Sequence, residues 1–236
     1  EELQPLRSTY SLYEYLKSQS QELQLIAEVK NLADAFRAKA KEMGNHIKIG
    51  RTQLQDAVPL TYEQEFESYA VAIETEIKKL ELAEKNFYVL NMGATAIGTG
   101  INSDPSYAKL VAKHLAAITD LPITTAKNLI MATNDTSDFV TYSSELKRLA
   151  LKITKICNDL RLLSSGPRAG LGEISLPPRQ PGSSIMPGKV NPVIPEAMNQ
   201  IAFKVIGNDL TVALGSENAQ LELNVFEPVM IYSIFE

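Results

Sequence analysis

Apolar side chains recur along most of this chain every three or four residues, the spacing that puts them on one face of an α-helix. In the first third they fall at Leu12, Leu16, Leu23, Ile26, Val29, Ala33, Phe36, Ala40 and Met43, with Gly44 placed to end that helix. A second series, Phe66, Ala70, Ile73, Ile77, Leu80, Phe87 and Leu90, follows Thr61 and Gln64, whose three-residue spacing is that of a capping box. A third and very regular series is Leu146, Leu149, Ile153, Ile156, Leu160 and Leu163. A fourth starts near Asn191 and runs through Met198, Ile201, Val205 and Val212, and a shorter helix is predicted from Pro105 to Ala117. No segment combines sustained two-residue alternation with a hairpin turn signal, so little sheet is expected.

Helices of this length do not fit inside a small mixed domain. A rod of about 30 residues is about 45 Å long and buries its apolar stripe by packing beside other rods. Apolar residues also lie off the main stripes, for example Leu25, Leu32, Leu151 and Leu162, which predicts packing on more than one side and hence against other subunits. The predicted fold is all-α: a long-helix bundle in one helical domain over residues 1–236.

Composition then narrows the function. With 44% hydrophobic and 22% charged residues, the 236-residue chain is expected to be globular, and no apolar run approaches the roughly 20 residues that cross a bilayer. The net charge of −5 has the wrong sign for a nucleic-acid binder, so neither a membrane nor a nucleic acid is an expected partner. A lone cysteine, Cys157, beside only His46 and His114 excludes a disulfide framework and argues against a structural zinc. Residue 1 is not Met and nothing near it resembles a signal peptide, so a cytoplasmic protein is expected. Glycine and proline, 12 of each, are unevenly placed: half of the 24 lie between Gly166 and Pro195. That stretch cannot be a helix interior, yet it separates two of the cleanest helical patterns.

Several features invite a chemical reading and do not support one. Gly93 to Gly100 is glycine-rich, but it lacks the lysine of a phosphate-binding loop and no strand precedes it, so a close backbone approach is the better reading. Asp135 and Asp138 read as the N-terminal cap of a helix over Phe139–Leu163. Tyr10, Tyr13 and Tyr15 read as packing residues. The stretch from Gly182 to Pro192 is different. Asn191 and Pro192 read as N-cap and first helical residue, and the helix terminus offers free N–H groups and partial positive charge. Lys189 adds a full charge beside them, making a place for a carboxylate or other oxyanion. The same field would lower the pKa of the Ser183 and Ser184 hydroxyls. The alternative is a solvated loop followed by a capped helix.

The pattern Gly182-Ser183-Ser184-x-x-Pro187-x-Lys189-x-Asn191 resembles the signature loop of the fumarase/aspartase superfamily. Gly50-Arg51-Thr52-Gln53-Leu54-Gln55-Asp56-Ala57-Val58-Pro59-Leu60-Thr61 is similar to a second motif of the same enzymes, and the likeness extends in order from about Ile47 to Pro228. The resemblance implies a helical core that assembles as a homotetramer, with each active site built from several subunits. It implies reversible β-elimination from a small dicarboxylate to give fumarate, without a metal or organic cofactor. By the same resemblance, Ser183 on a mobile loop is the general base, Lys189 and Asn191 bind a carboxylate, and Ser184 holds the other carboxylate. Thr52 and Gln53 line the pocket from a different subunit, and Glu196 is a partner of the lysine loop.

Within that superfamily, Gln53-Leu54 replaces the His-Thr pair of fumarases, and Cys157 to Ser165 and Val193 to Glu196 read as the aspartase branch; Gly172-Glu173 is more fumarase-like. The expected reaction is therefore L-aspartate to fumarate and ammonia, with malate to fumarate, or a non-catalytic oligomerisation scaffold, as alternatives. Family subunits have domains before and after the core, whereas only Ser8-Thr9 echoes their first substrate segment, and Tyr62-Glu63 stands where Leu-Gly is usual. A partial chain, inactive alone, is the expectation.

Overall fold

The computed structural model describes residues 24–182 and 185–236. Helix α1 covers residues 24–43 of the described chain and stops at Gly44, whose φ of 57° is left-handed and whose N–H donates to the Ala40 carbonyl. A hairpin follows, of β1 (Ile47–Thr52) and β2 (Gln55–Thr61), and leads directly into α2 (Tyr62–Glu84). The capping box is present in full: Thr61 Oγ1 accepts from the Gln64 N–H at 3.1 Å, and Gln64 Oε1 accepts from the Thr61 N–H at 3.0 Å. A 3-10 turn (Lys85–Tyr88) and the two-residue β3 (Val89–Leu90) end this run, so Phe87 and Leu90 lie beyond the helix that their spacing predicts.

Next come α3 (Tyr107–Thr119), β4 (Thr124–Thr125), which pairs in parallel with β3, and the short α4 (Leu129–Asn134). Helix α5 (Ser137–Leu163) starts two residues ahead of its expected first residue, with Asp135 Oδ1 accepting from the Ser137 N–H at 2.9 Å. Helices α6 (Val193–Glu217) and α7 (Glu227–Phe235) complete the chain. The fold is all-α, with the hairpin as the main departure from the helical expectation.

That hairpin escaped the sequence pattern because of its turn. Gln53 and Leu54 occupy left-handed φ of 54° and 64°, the geometry of a type I′ turn, which normally takes Asn or Gly. Neither residue announces it. The leading residues Leu12, Leu16 and Leu23 and the tyrosines at 10, 13 and 15 lie outside the described residues.

The chain divides into two compact units, one containing residues 77–145 and 208–236, the other residues 33–76 and 146–207. In the second, Phe36, Phe66 and Tyr69 form a triangle of rings with centroids 5.6 to 6.2 Å apart, beside fully buried Ala70 and Ile73. Glu76 is also fully buried there, 2.6 Å from the Lys152 amine and 3.5 Å from Arg148. In the first unit, Leu80, Val212 and Met230 are buried, and Ala112, Leu115 and Ile123 form a core under α3. Buried Asn224 donates to Thr136 Oγ1 at 2.9 Å and to the Gly215 carbonyl at 3.1 Å, tying the α6–α7 connection down.

The glycine-rich run has the packing role expected of it. A Cβ on Gly93 would sit 2.6 Å from the Ala108 Cβ, and one on Gly98, at φ 90°, would sit 2.3 Å from the Ile130 Cα. Backbone cannot yield to such a contact cheaply, so Gly98→Ala is expected to destabilise by about 3 kcal/mol. Chemical denaturation reads this directly, and an unchanged midpoint would contradict the packing assignment.

Candidate active site

Thr52 and Gln53 sit at the tip of the β1–β2 hairpin, both exposed. Their position follows from register: Thr52 pairs with Gln55 and Arg51 with Asp56, after an irregularity at Gly50 where a Cβ would press on Leu60 and the Val58 carbonyl, each 3.0 Å away. Two successive non-glycine residues in the left-handed region cost roughly 1–2 kcal/mol each, strain of the kind that collects at functional sites. The tip therefore presents Thr52 and Gln53 to solvent at a left-handed turn.

The long connection between α5 and α6 is anchored at both ends. After α5, the N–H groups of Glu173 and Ile174 donate to the Leu163 carbonyl at 2.9 and 3.3 Å, and Gly172 donates to Ser165 at 2.8 Å. Further on, Gly182 packs so tightly that a Cβ would be 2.2 Å from the Lys189 carbonyl oxygen. Gly182 thus lies directly against Lys189, whose N–H donates to the Met186 carbonyl at 3.2 Å. Ser183 and Ser184 lie outside the described residues.

Lys189 is exposed and Asn191 half-buried at the mouth of α6. The helix begins at Val193, one residue later than expected, and the Glu196 N–H donates to the Pro192 carbonyl at 3.2 Å. Pro192 therefore caps the helix instead of opening it, and Pro195 takes the third position, where a missing N–H still costs nothing. Glu196 lies in the first turn with its carboxylate 4.0 Å from Arg161 of α5; among the described residues no ion pair joins it to Lys189. Arg161 also donates to Asn158 Oδ1 at 3.4 Å, which in turn accepts from buried Asn199 at 2.8 Å. Among the described residues, no hydrogen bond or ion pair joins Thr52 or Gln53 to Lys189 or Asn191.

A charged cluster that pattern reading missed connects these parts. Lys48 on β1 is buried, and its amine lies 2.8 and 2.9 Å from the two oxygens of Glu65 and 3.3 Å from Glu173 Oε2. Arg51 pairs with Glu173 Oε1, and the Tyr62 hydroxyl donates to the Glu173 carbonyl at 3.2 Å. Burial acting alone would raise the Glu173 carboxyl, but its bonds to Arg51 and Lys48 outweigh that and hold it below the usual carboxylate range. The signal available in the sequence was a lysine alternating with Ile47 and Ile49, a charge on the inward face of a strand.

Elsewhere, a cavity of about 250 Å³ in the first unit is lined by Gly93, Thr99, Gly100, Ser103, Asp104 and neighbouring residues. Asp104 there accepts from the Ser106 N–H and hydroxyl, a local turn. Cys157 is buried, which pushes its thiol up and away from reactivity. Among the described residues no group of three or more His, Cys, Asp or Glu side chains could hold a metal ion, and no helix is long and apolar enough to cross a membrane.

Comparison with known proteins gives a consistent result. Residues 13–207 match the family model described as Lyase. The chain is 59% identical over 211 residues to the aspartate ammonia-lyase of Helicobacter pylori (strain ATCC 700392 / 26695), covering 89% of the chain and 45% of that protein. A fumarate lyase:delta crystallin structure from Brucella melitensis bound to cobalt superposes with a TM-score of 0.88 at 52% identity, over 94% of this chain and 47% of that one. A recombinant class II fumarase from Schistosoma mansoni gives a TM-score of 0.84 at 32% identity, over 89% of this chain and 47% of that one. The chain spans about half the length of the curated relatives it matches.

The charged cluster makes stability depend on acid pH. Because the folded Glu173 pKa is depressed, the unfolded chain binds the proton more readily. The stabilisation is present above the ordinary glutamate value of about 4.3 and is lost as pH falls through the lower folded value. The melting temperature should fall through that window, and less steeply in Glu173→Gln. Equal steepness in the two proteins would contradict the role given to this carboxylate.

Proposed function

The chain belongs to the lyase family whose model it matches, and we propose that it forms the central part of an aspartate ammonia-lyase, converting L-aspartate reversibly to fumarate and ammonia. The observation that carries this reading is the 59% identity to an aspartate ammonia-lyase over 89% of the chain. The class II fumarase likeness, at 32% identity, supports a shared elimination chemistry and makes malate the competing substrate.

Ser183 is the general base. Its oxygen takes a proton from Cβ of aspartate, leaving the electron pair spread into the adjacent carboxylate as an enediolate-like anion. That pair then forms the Cα–Cβ double bond while the ammonium group leaves as ammonia with the C–N electrons. Ser184 holds the carboxylate on which charge builds, and Lys189 and Asn191 bind a substrate carboxylate at the positive end of α6. Thr52 and Gln53 line the pocket, from a different subunit of a homotetramer. Glu196 supports the lysine loop from the first turn of α6. The chemistry draws on side chains alone and asks for no metal or organic cofactor.

Two observations support this assignment. The contact of Gly182 with the Lys189 carbonyl brings the chain next to Ser183 up to the lysine segment. On α6, Ile194, Ile201, Phe203, Leu210 and Leu214 are each between 49% and 61% exposed, an apolar surface suited to burial against other copies of this chain. A small, charged substrate and product suit a cytoplasmic enzyme.

In the complete polypeptide that carries this chain, Ser183→Ala should keep the native oligomer and lower kcat for aspartate by about 10³-fold, the scale of a lost general base. Turnover within a few-fold of the unmodified protein would remove Ser183 from the proposed role.

A further inference from the structure

We propose that Glu173 is a positioning residue for this reaction, locking the stem of the serine-bearing loop to the hairpin that carries Thr52 and Gln53. The proposal rests on the aspartate ammonia-lyase reading for its catalytic meaning, and on geometry for its structural content.

Glu173 makes four polar contacts, and they reach three different elements. Its N–H donates to the Leu163 carbonyl at the end of α5, at 2.9 Å. Its carbonyl accepts from the Tyr62 hydroxyl on the first residue of α2, at 3.2 Å. One carboxylate oxygen takes Arg51 and the other lies 3.3 Å from the Lys48 amine, both on β1. The side chain is 16% exposed, so water competes weakly for these contacts.

The sequence positions give this knot its consequence. Arg51 immediately precedes Thr52, and Glu173 precedes Ser183 by ten residues. Arg51 is also within 3.8 Å of Asp56 across the hairpin, and Lys48 is bonded to Glu65 and lies 5.3 Å from the centroid of the Tyr62 ring. Fixing the Arg51 guanidinium on Glu173 therefore ties the strand, one residue before Thr52, to the residue whose N–H holds the loop stem against the end of α5. Two segments on which the proposed chemistry draws share one support.

Glu173→Gln in the complete polypeptide is the test, because it keeps shape and removes the charge. Hydrogen exchange should quicken about tenfold or more in both residues 50–56 and residues 174–192, with the α5 interior unchanged. In the same protein kcat for aspartate should fall and KM rise, and Glu173→Asp, which keeps the charge, should recover part of the loss. Exchange unaltered in either segment overturns the proposal, as does a uniform increase that includes α5. If Glu173→Gln does not fold, Arg51→Lys, which keeps charge but loses the guanidinium geometry, is read by the same exchange pattern. Exchange decides the positioning claim even if the unmodified protein makes no fumarate, an outcome that would sink the aspartate ammonia-lyase reading alone.

Discussion

Two cations and two carboxylates, Lys48, Arg51, Glu65 and Glu173, are drawn together where α2 begins, and the local order of the candidate site depends on them. Removing such charges from water costs several kcal/mol each, so the pairs are weak candidates for simple stabilisers. Their balance of two against two makes the arrangement tolerable, and what they secure is placement. A hydrophobic replacement would fill the same space without specifying which way β1 turns or where the chain leaves α5. The same logic holds at Glu76, fully buried between Lys152 and Arg148, which fixes the register of α2 on α5 within its unit.

Helices were legible because their physics is local. Leu146 through Leu163 marks α5, Thr61 and Gln64 announce the start of α2 through bonds that both form, and Gly44 ends α1 in the left-handed conformation glycine favours. The run from Gly93 to Gly100 reads as a close backbone approach, and Ala108 and Ile130 occupy the space that the missing Cβ atoms of Gly93 and Gly98 leave. The hairpin was not legible. Its turn uses Gln53 and Leu54 where composition offers no glycine or asparagine, and Pro59 sits inside its second strand. Strain tolerated for the sake of an exposed tip is hard to see in a residue pattern.

The candidate site was legible as a set of residues and not as an arrangement. Uneven glycine and proline pointed to the α5–α6 connection, and the motif pointed to Lys189, Asn191 and the adjacent serines. The partners that hold this connection are far away in the chain: Tyr62 reaches Glu173 across 111 residues. No spacing rule carries such a contact. The opposite case is net charge, which is legible and uninformative. A total of −5 says nothing against an anionic substrate when Lys189 and the positive end of α6 set the local field.

The most direct measurement of the central claim is ultraviolet absorbance of fumarate formed by the complete polypeptide, offered L-aspartate and then malate. An aspartate ammonia-lyase makes fumarate from aspartate and negligible amounts from malate. Fumarate from malate alone would identify a fumarase, and fumarate from neither would leave a helical scaffold; either result contradicts the account.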